Sequence, residues 1–258
     1  MKRSMVFASL STVVLFSVAS MAQAGLIIKQ VEKHSDTHKT TRSTLYIDGN
    51  RMAVRTGDGT GMIFDGDKLT SWNYDKRHKY YVKMTAAEMK QMVTQSKAMA
   101  DKMMQEQLKR MSPKMRKQVL AEMEKEKKGP TYKRTGPKRK VGQWECTPVA
   151  KYSSSGERGD TMCVATFKEL GITSGDREVF KSMDRFLRAA GGGDDCDGCS
   201  SSGILSKRAE QQLGFRGVPV EEGDNFSKTM IVSVRHGNVP ASAFRLPKGL
   251  KERRMPGR

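Results

Sequence analysis

The hydrophobic positions of residues 25–84 alternate with a period of two, which is typical of β-strands. Short runs of β-branched and aromatic residues are separated by turn sequences rich in Gly, Asn and Asp. The alternation places Leu45 and Ile47 on the same face of one strand. The Asp-Gly-Asn sequence at 48–50 and the Asp-Gly-Asp sequence at 65–67 predict hairpin turns, because Gly and Asn tolerate positive φ. We therefore expect an antiparallel sheet built from sequential hairpins.

From residue 85 to residue 128 the pattern changes to a helical spacing, and most of the apolar positions are methionines. Thr85 and Glu88 form a capping box sequence, and Ser112-Pro113 ends one helix and begins the next. The stripe comprises Met89, Met92, Val93, Met99, Met103, Met104, Leu108 and Met111, then Met115, Val119, Leu120 and Met123. Two interpretations remain open. The stripe packs into the core, or its flexible thioethers line a pocket for irregular apolar ligands.

Two further strand sequences, VGQWECTPVAKY and DTMCVATF, surround the turn-rich sequence SSSGERG. Neighbouring antiparallel strands can bring Cys146 and Cys163 within bridging distance. A disulfide here would close a loop of 18 residues and stabilise the fold by roughly 3 kcal/mol. The alternative is a pair of buried free thiols.

Residues 174–190 predict a second helix that buries Val179, Phe180, Met183, Phe186 and Leu187. A Gly- and Ser-rich loop follows at 191–203, and strand sequences return in GVPVEE and SKTMIVSVRHG. The predicted fold class is therefore α+β, with helices over an antiparallel sheet.

The first 24 residues have the pattern of a secretory signal peptide. Lys2 and Arg3 precede an apolar run from Met5 to Val18, and Ala22-Gln23-Ala24 follows. The run is too short for a transmembrane helix, and the absence of Cys at the cleavage point argues against a lipoprotein. We expect residues 25–258 to form a single domain in the periplasm, where disulfides persist.

The composition is strongly basic, with a formal net charge of +19 and a Pro113–Lys140 segment that holds eleven Lys and Arg against three Glu. Such a surface favours anionic membranes or other polyanions, although a solvated charged face is the alternative. Nucleic acid is not an expected partner, because of export and because aromatic content is 7%. The predicted contacts are Lys114, Arg116, Lys117, Lys138, Arg139 and Lys140.

Cys196 and Cys199 form a C-x-x-C sequence inside the 191–203 loop. A local disulfide is the first interpretation, and a partial metal site with neighbouring carboxylates is the second. A redox role is disfavoured, because nearby carboxylates raise the pKa of a thiol by charge repulsion. The four histidines are scattered, and no catalytic or phosphate-binding motif occurs in the sequence. We expect no enzyme activity, no cofactor and no metal.

Several segments together resemble the exported bacterial proteins grouped as domain of unknown function 4412. These are GLIIKQV, TLYIDGNRMAVRTGD, GMIFDGDK, WNYDKRHKYYVKMT, VGQWECTPVAKY, MCVAT with LGI, and VPASAFRLPKGL. That family is similar in fold to the LolA/LolB lipoprotein carriers. The resemblance implies a curved, incomplete antiparallel barrel whose concave side is covered by helices and holds acyl chains. It brings no catalytic residues.

The predicted function is a monomeric periplasmic carrier for an apolar or amphipathic ligand, such as a lipid or lipoprotein. Binding to anionic membranes or polyanions through residues 114–140 is the alternative. The predicted cavity lining is Met52, Val54, Phe64, Trp72, Tyr80, Met92, Met99 and Met103.

Overall fold

A computed structural model describes residues 24–126, 129–189, 207–224 and 226–254. Its α+β architecture is a large, curved and unclosed sheet with a few helices. The strands are β1 Gly25–His34, β2 Thr40–Asp48, β3 Arg51–Thr56, β4 Thr60–Asp65, β5 Thr70–Asp75, β6 Tyr80–Thr85, β7 Thr131–Arg134, β8 Arg139–Val141, β9 Trp144–Tyr152, β10 Arg158–Thr166, β11 Gly217–Gly223, β12 Ser227–Gly237 and β13 Lys251–Glu252.

Four α-helices and two short 3-10 turns are described. The helices are α1 Ala86–Arg110, α2 Pro113–Glu126, α3 Glu178–Ala189 and α4 Lys207–Leu213. The 3-10 turns are Gly175–Arg177 and Ala241–Phe244.

The sheet order is β13-β6-β5-β4-β3-β2-β1-β12-β11-β10-β9-β7, and β8 also pairs with β9. The first six strands pair in sequence, which confirms the predicted hairpins. Pairing of β1 with β12 joins the two halves of the sheet. Every described pair is antiparallel except β13 with β6.

One side of the sheet, the helix face, carries the largest core cluster. Side chains such as Leu26, Met52 and Phe64 are buried there beneath α3. The Phe64 ring meets the Phe186 ring edge-on, with centroids 5.5 Å apart. The predicted buried side of the 174–190 helix is confirmed. This helix, α3, buries Val179, Phe180, Met183 and Phe186 and packs Leu187 against the cluster.

The opposite side, the tail face, is covered by the C-terminal segment 240–254. Ala53, Ile63 and Tyr74 are buried on this side, with Phe244, Leu246 and Leu250 packed against them. Farther along the sheet, α4 covers Val149 and Val164 on the side away from α3. The sequence pattern predicts helices on one side only. Strands β7 and β8, helix α4 and this C-terminal cover were not predicted from it.

The predicted hairpin disulfide is confirmed. Cys146 and Cys163 are bonded, with their Cα atoms 5.3 Å apart on adjacent strands β9 and β10. Both residues are fully buried in the helix-face cluster.

Two local predictions need correction. Between β4 and β5 the positive φ falls on Leu69, not on the predicted turn glycine, Gly66. Position 66 has no room for a side chain, because a Cβ there would lie 2.2 Å from the Asn50 side chain. The helix predicted over 174–190 is α3, and it is α-helical only from Glu178, because the 3-10 turn Gly175–Arg177 precedes it.

Residues 1–23, with the predicted signal peptide, lie outside the described residues, as does the segment 190–206 with Cys196 and Cys199. Within the described ranges, no helix has the length and apolar character needed to cross a bilayer.

Candidate functional site

Two predicted lining residues, Met52 and Phe64, belong to a filled row across β2–β6 on the helix face. Each residue of this row is paired with the next across neighbouring strands, and all of them are buried. The row comprises Ile47, Met52, Phe64, Ser71 and Met84. Because α3 packs on this row, its side chains are core residues in the structure.

A second row lies two residues farther along the same strands and is only partly covered. It comprises Leu45, Val54, Met62, Asn73 and Val82. Leu45 is buried, Asn73 is exposed, and the other three are half-buried. The second row is therefore an apolar strip at the margin of the core, and it includes the predicted residue Val54.

Trp72 and Tyr80 lie away from both rows. Trp72 is half-buried on the tail face. Tyr80 lies at the edge of the sheet, where the Arg253 guanidinium stacks 5.4 Å from the centre of its ring. A surface cavity of about 510 Å³ at this edge is lined by His78, Lys79, Tyr80, Lys251, Glu252 and Arg253.

Helix α1 starts at the end of β6 with the predicted capping box. The Thr85 N–H donates to the Glu88 carboxylate at 2.8 Å, and the Glu88 N–H donates to the Thr85 hydroxyl at 3.3 Å. The first turns then dock on the sheet, with Met89 and Met92 packed against the helix-face core. The cap and this contact together set the direction in which the helix leaves the sheet.

Beyond these turns the same helix continues with no buried residue, although Met104 and Leu108 are half-buried. We define residues 94–126 as the arm. At 100° per residue, Met99 and Met103 share the helix side of Met92. The side chains of Met99 and Met103 are 66% and 53% exposed. On α2, Met115 is 54% and Leu120 is 44% exposed. The arm thus carries an apolar stripe that the described residues do not bury.

The methionine stripe therefore has two environments. Its beginning packs against the core, as the first interpretation expected, and its continuation on the arm is half-buried or exposed. The eight predicted lining residues are distributed over the filled row, the second row, the docked first turns of α1, the arm, the tail face and the sheet edge. They do not line one common cavity among the described residues.

The six predicted basic contacts form two groups. Lys114, Arg116 and Lys117 are exposed on α2, and the Arg116 Nε donates to the Leu108 carbonyl at 2.9 Å. The others lie at the β8 edge, where Lys138 pairs with Glu169 at 2.8 Å and Arg139 with Glu221 at 2.5 Å. Lys140 is exposed there.

The ion pairs reduce the charge that the β8 group can offer to a partner. The hydrogen bond to Glu169 and the charge of that carboxylate raise the pKa of Lys138. Partial burial would raise the pKa of Glu221, but the hydrogen bonds from Arg139 and Lys228 lower it overall. Glu221 therefore stays ionised, and Arg139 remains satisfied within the fold. The α2 group is the better candidate for an external anion.

Asp176 is a buried carboxyl group in the 3-10 turn that precedes α3. It accepts hydrogen bonds from the Thr173 N–H at 2.8 Å, from the Thr173 hydroxyl at 2.6 Å and from His236 Nε2 at 2.9 Å. Burial would raise the pKa of Asp176, and the bonds from Thr173 and His236 outweigh it, so that the pKa is lowered. The contacts cap the turn before α3 and tie it to β12.

His34, His38 and His78 do not join this group. His34 lies 3.5 Å from Glu32, and His78 lies 2.6 Å from Asp75. In the described ranges, no three or more His, Cys, Asp or Glu residues come together as a metal site.

Neither a protein-family model nor a curated protein matches this sequence. One similar solved structure, "Structure of PNGF-II in C2 space group", has 8% sequence identity to this chain and a TM-score of 0.37. The alignment covers 91% of this chain and 31% of that chain. This chain thus spans less than a third of the length of that protein.

Proposed function

We propose that this protein is an exported, non-enzymatic module that docks on an anionic membrane surface through the arm. The observation that carries the proposal is the exposed stripe of Met99, Met103, Met115 and Leu120 on a basic pair of helices. Exposed apolar side chains next to Lys and Arg favour contact with the interface of an anionic membrane, where the apolar groups can lie among the acyl chains.

The arm combines the two contributions that interfacial binding needs. Burial of each large apolar side chain contributes about 1.5–3 kcal/mol when it is complete. Each Lys or Arg near an anionic surface adds about 1 kcal/mol. The basic residues of the two helices between positions 97 and 124 are Lys97, Lys102, Lys109, Arg110, Lys114, Arg116 and Lys117.

Export to the periplasm is supported by the disulfide, since such bonds persist in oxidising compartments. The signal-peptide pattern of residues 1–24 supports the same location. We also propose that the curved sheet has a LolA/LolB-like fold. The support for this is the set of sequence segments that resemble that family.

The proposal is tested by sedimentation with vesicles of phosphatidylcholine, with and without phosphatidylglycerol. The double variant Met99→Gln/Met103→Gln should reduce binding to the anionic vesicles about tenfold or more, because it removes two apolar side chains from the contact. Its control is Val232→Gln, since Val232 is also an exposed apolar residue, at 50%, but lies on β12.

The electrostatic part is tested with Lys114→Gln/Lys117→Gln. We expect severalfold weaker binding at low salt and a smaller difference at high salt, because ions screen the attraction. Lys76→Gln/Lys248→Gln removes equal charge outside the arm and should bind normally. Equal binding by the wild type and both arm variants would rule the proposal out, and so would binding to neutral vesicles alone.

The half-covered second row favours a second candidate function, the carriage of an apolar ligand. Val54, Met62 and Val82 are half-buried, and Val54 and Met62 pack against the helix-face core. An acyl chain lying along the three side chains would complete their burial. Protein purified from the periplasm should then carry lipid in native mass spectrometry, and Val54→Ser should carry less than Val232→Ser. Protein free of lipid that also takes up no fluorescent fatty acid would contradict this candidate.

A further inference from the structure

The tail face contains a cavity that is independent of the arm and of the second row. Its volume is about 430 Å³, and it lies between β3–β5 and the C-terminal segment. Small-molecule sites have volumes of about 300–1,000 Å³ and are mostly apolar, with a few placed polar groups. The tail-face cavity fits this description in size and in composition.

The body of the cavity is apolar and aromatic. Ile63 and Trp72 come from the sheet, and Phe244 and Leu246 come from the C-terminal segment. Trp72 is only half-buried, and it offers an indole surface to a flat ring or an acyl chain. Ile63 is buried and fixes the floor.

The rim of the cavity carries one carboxylate, Asp65, and three cations, which differ in what they already bind. Arg51 pairs with Asp48 at 2.6 Å and stacks 4.7 Å above the Phe244 ring. Lys68 pairs with Asp65 at 3.3 Å. The Arg245 guanidinium is exposed and makes no ion pair or hydrogen bond with the residues that the structure describes.

The wall that carries Arg245 is held in place by a third arginine. Arg55 Nη2 donates to the carbonyl oxygens of Ser242 at 2.5 Å, Ala243 at 3.1 Å and Arg245 at 3.3 Å. The hydrogen bond from Arg55 fixes the backbone of Arg245, and the Arg245 side chain lines the cavity without an ion-pair partner among the described residues.

We infer that this cavity binds an apolar carboxylate, whose ring or chain lies against Trp72 and whose carboxylate pairs with Arg245. An apolar body with one anionic end matches both the lining and the rim. A guanidinium also pairs with a carboxylate through two parallel hydrogen bonds, which favours this head group.

The test uses the full mature chain with 2-naphthoate and with decanoate, which separates aromatic from acyl bodies. Binding is followed by isothermal titration calorimetry and by tryptophan fluorescence. Trp144 is buried in the core on the helix face, so a fluorescence change on binding should disappear in Trp72→Phe. The neutral analogues 2-naphthalenemethanol and decanol measure the apolar contribution alone.

Arg245→Gln should weaken carboxylate binding about tenfold or more and leave binding of the neutral analogue unchanged. The matched control is Lys248→Gln, an exposed cation on the same segment. Met99→Gln/Met103→Gln should bind both carboxylates normally, which separates this site from membrane docking. Failure of both carboxylates to bind at millimolar concentration would overturn the inference. Equal weakening by Arg245→Gln and Lys248→Gln would do so too, since it would indicate unspecific attraction.

Discussion

At the scale of single residues, Arg55 connects parts of the chain that are far apart in sequence. Its side chain lies on β3, and it donates to three carbonyl oxygens of the segment that covers the tail face. Sequence alternation does place Arg55 on the side opposite Met52 and Val54. It cannot show that the partners are backbone atoms near residue 243, because carbonyl groups have no sequence signature.

Loss of the Arg55 contacts should loosen the C-terminal segment. Arg55→Gln leaves the three carbonyl groups without their charged donor, and we expect a loss of about 2 kcal/mol, or ~4–8 °C in Tm. Thermal unfolding measures the loss, and limited proteolysis should detect earlier cleavage near residues 238–250.

Arg42→Gln is the matched control, because Arg42 is exposed on the neighbouring strand β2. An Arg55→Gln variant with the Tm and cleavage pattern of the control would show that the segment is held by its apolar contacts alone.

At the scale of elements, α1 illustrates how one periodic pattern can have two uses. Its capping box and its first apolar positions were predicted, and the structure confirms both. The same spacing continues through Met99 and Met103, where no described element covers it. Periodicity identifies the apolar side of a helix, but the place where the neighbouring core ends depends on strand length and on the position of α3.

The two parts of α1 should therefore respond differently to the same substitution. Met89→Gln places a polar group against the core and should lower the free energy of unfolding by about 1–3 kcal/mol. Met99→Gln should change it by less than about 0.5 kcal/mol, as is usual for surface positions. Urea unfolding followed by circular dichroism measures both variants. Equal losses would mean that the arm is covered in solution.

At the scale of the whole molecule, the local pattern determined most of the elements. The alternation in 25–84, the helical spacing around Ser112-Pro113, the buried side of α3 and the disulfide between β9 and β10 all follow from neighbouring residues. These features depend on interactions over a few residues or across one tight hairpin, which is why the sequence alone predicts them.

Only the tertiary structure decided how the two halves join through β1 and β12, and which residues cover each side of the sheet. It also divided the predicted lining residues among separate surfaces and formed the tail-face cavity from β3–β5 and the C-terminal segment. Those outcomes depend on contacts between residues that are far apart in sequence, such as Gly25 with Gly237, or Arg55 with Arg245 at a separation of 190 positions. Apolar residues carry no local mark of their partner, so periodicity shows which side of an element is buried but not what buries it.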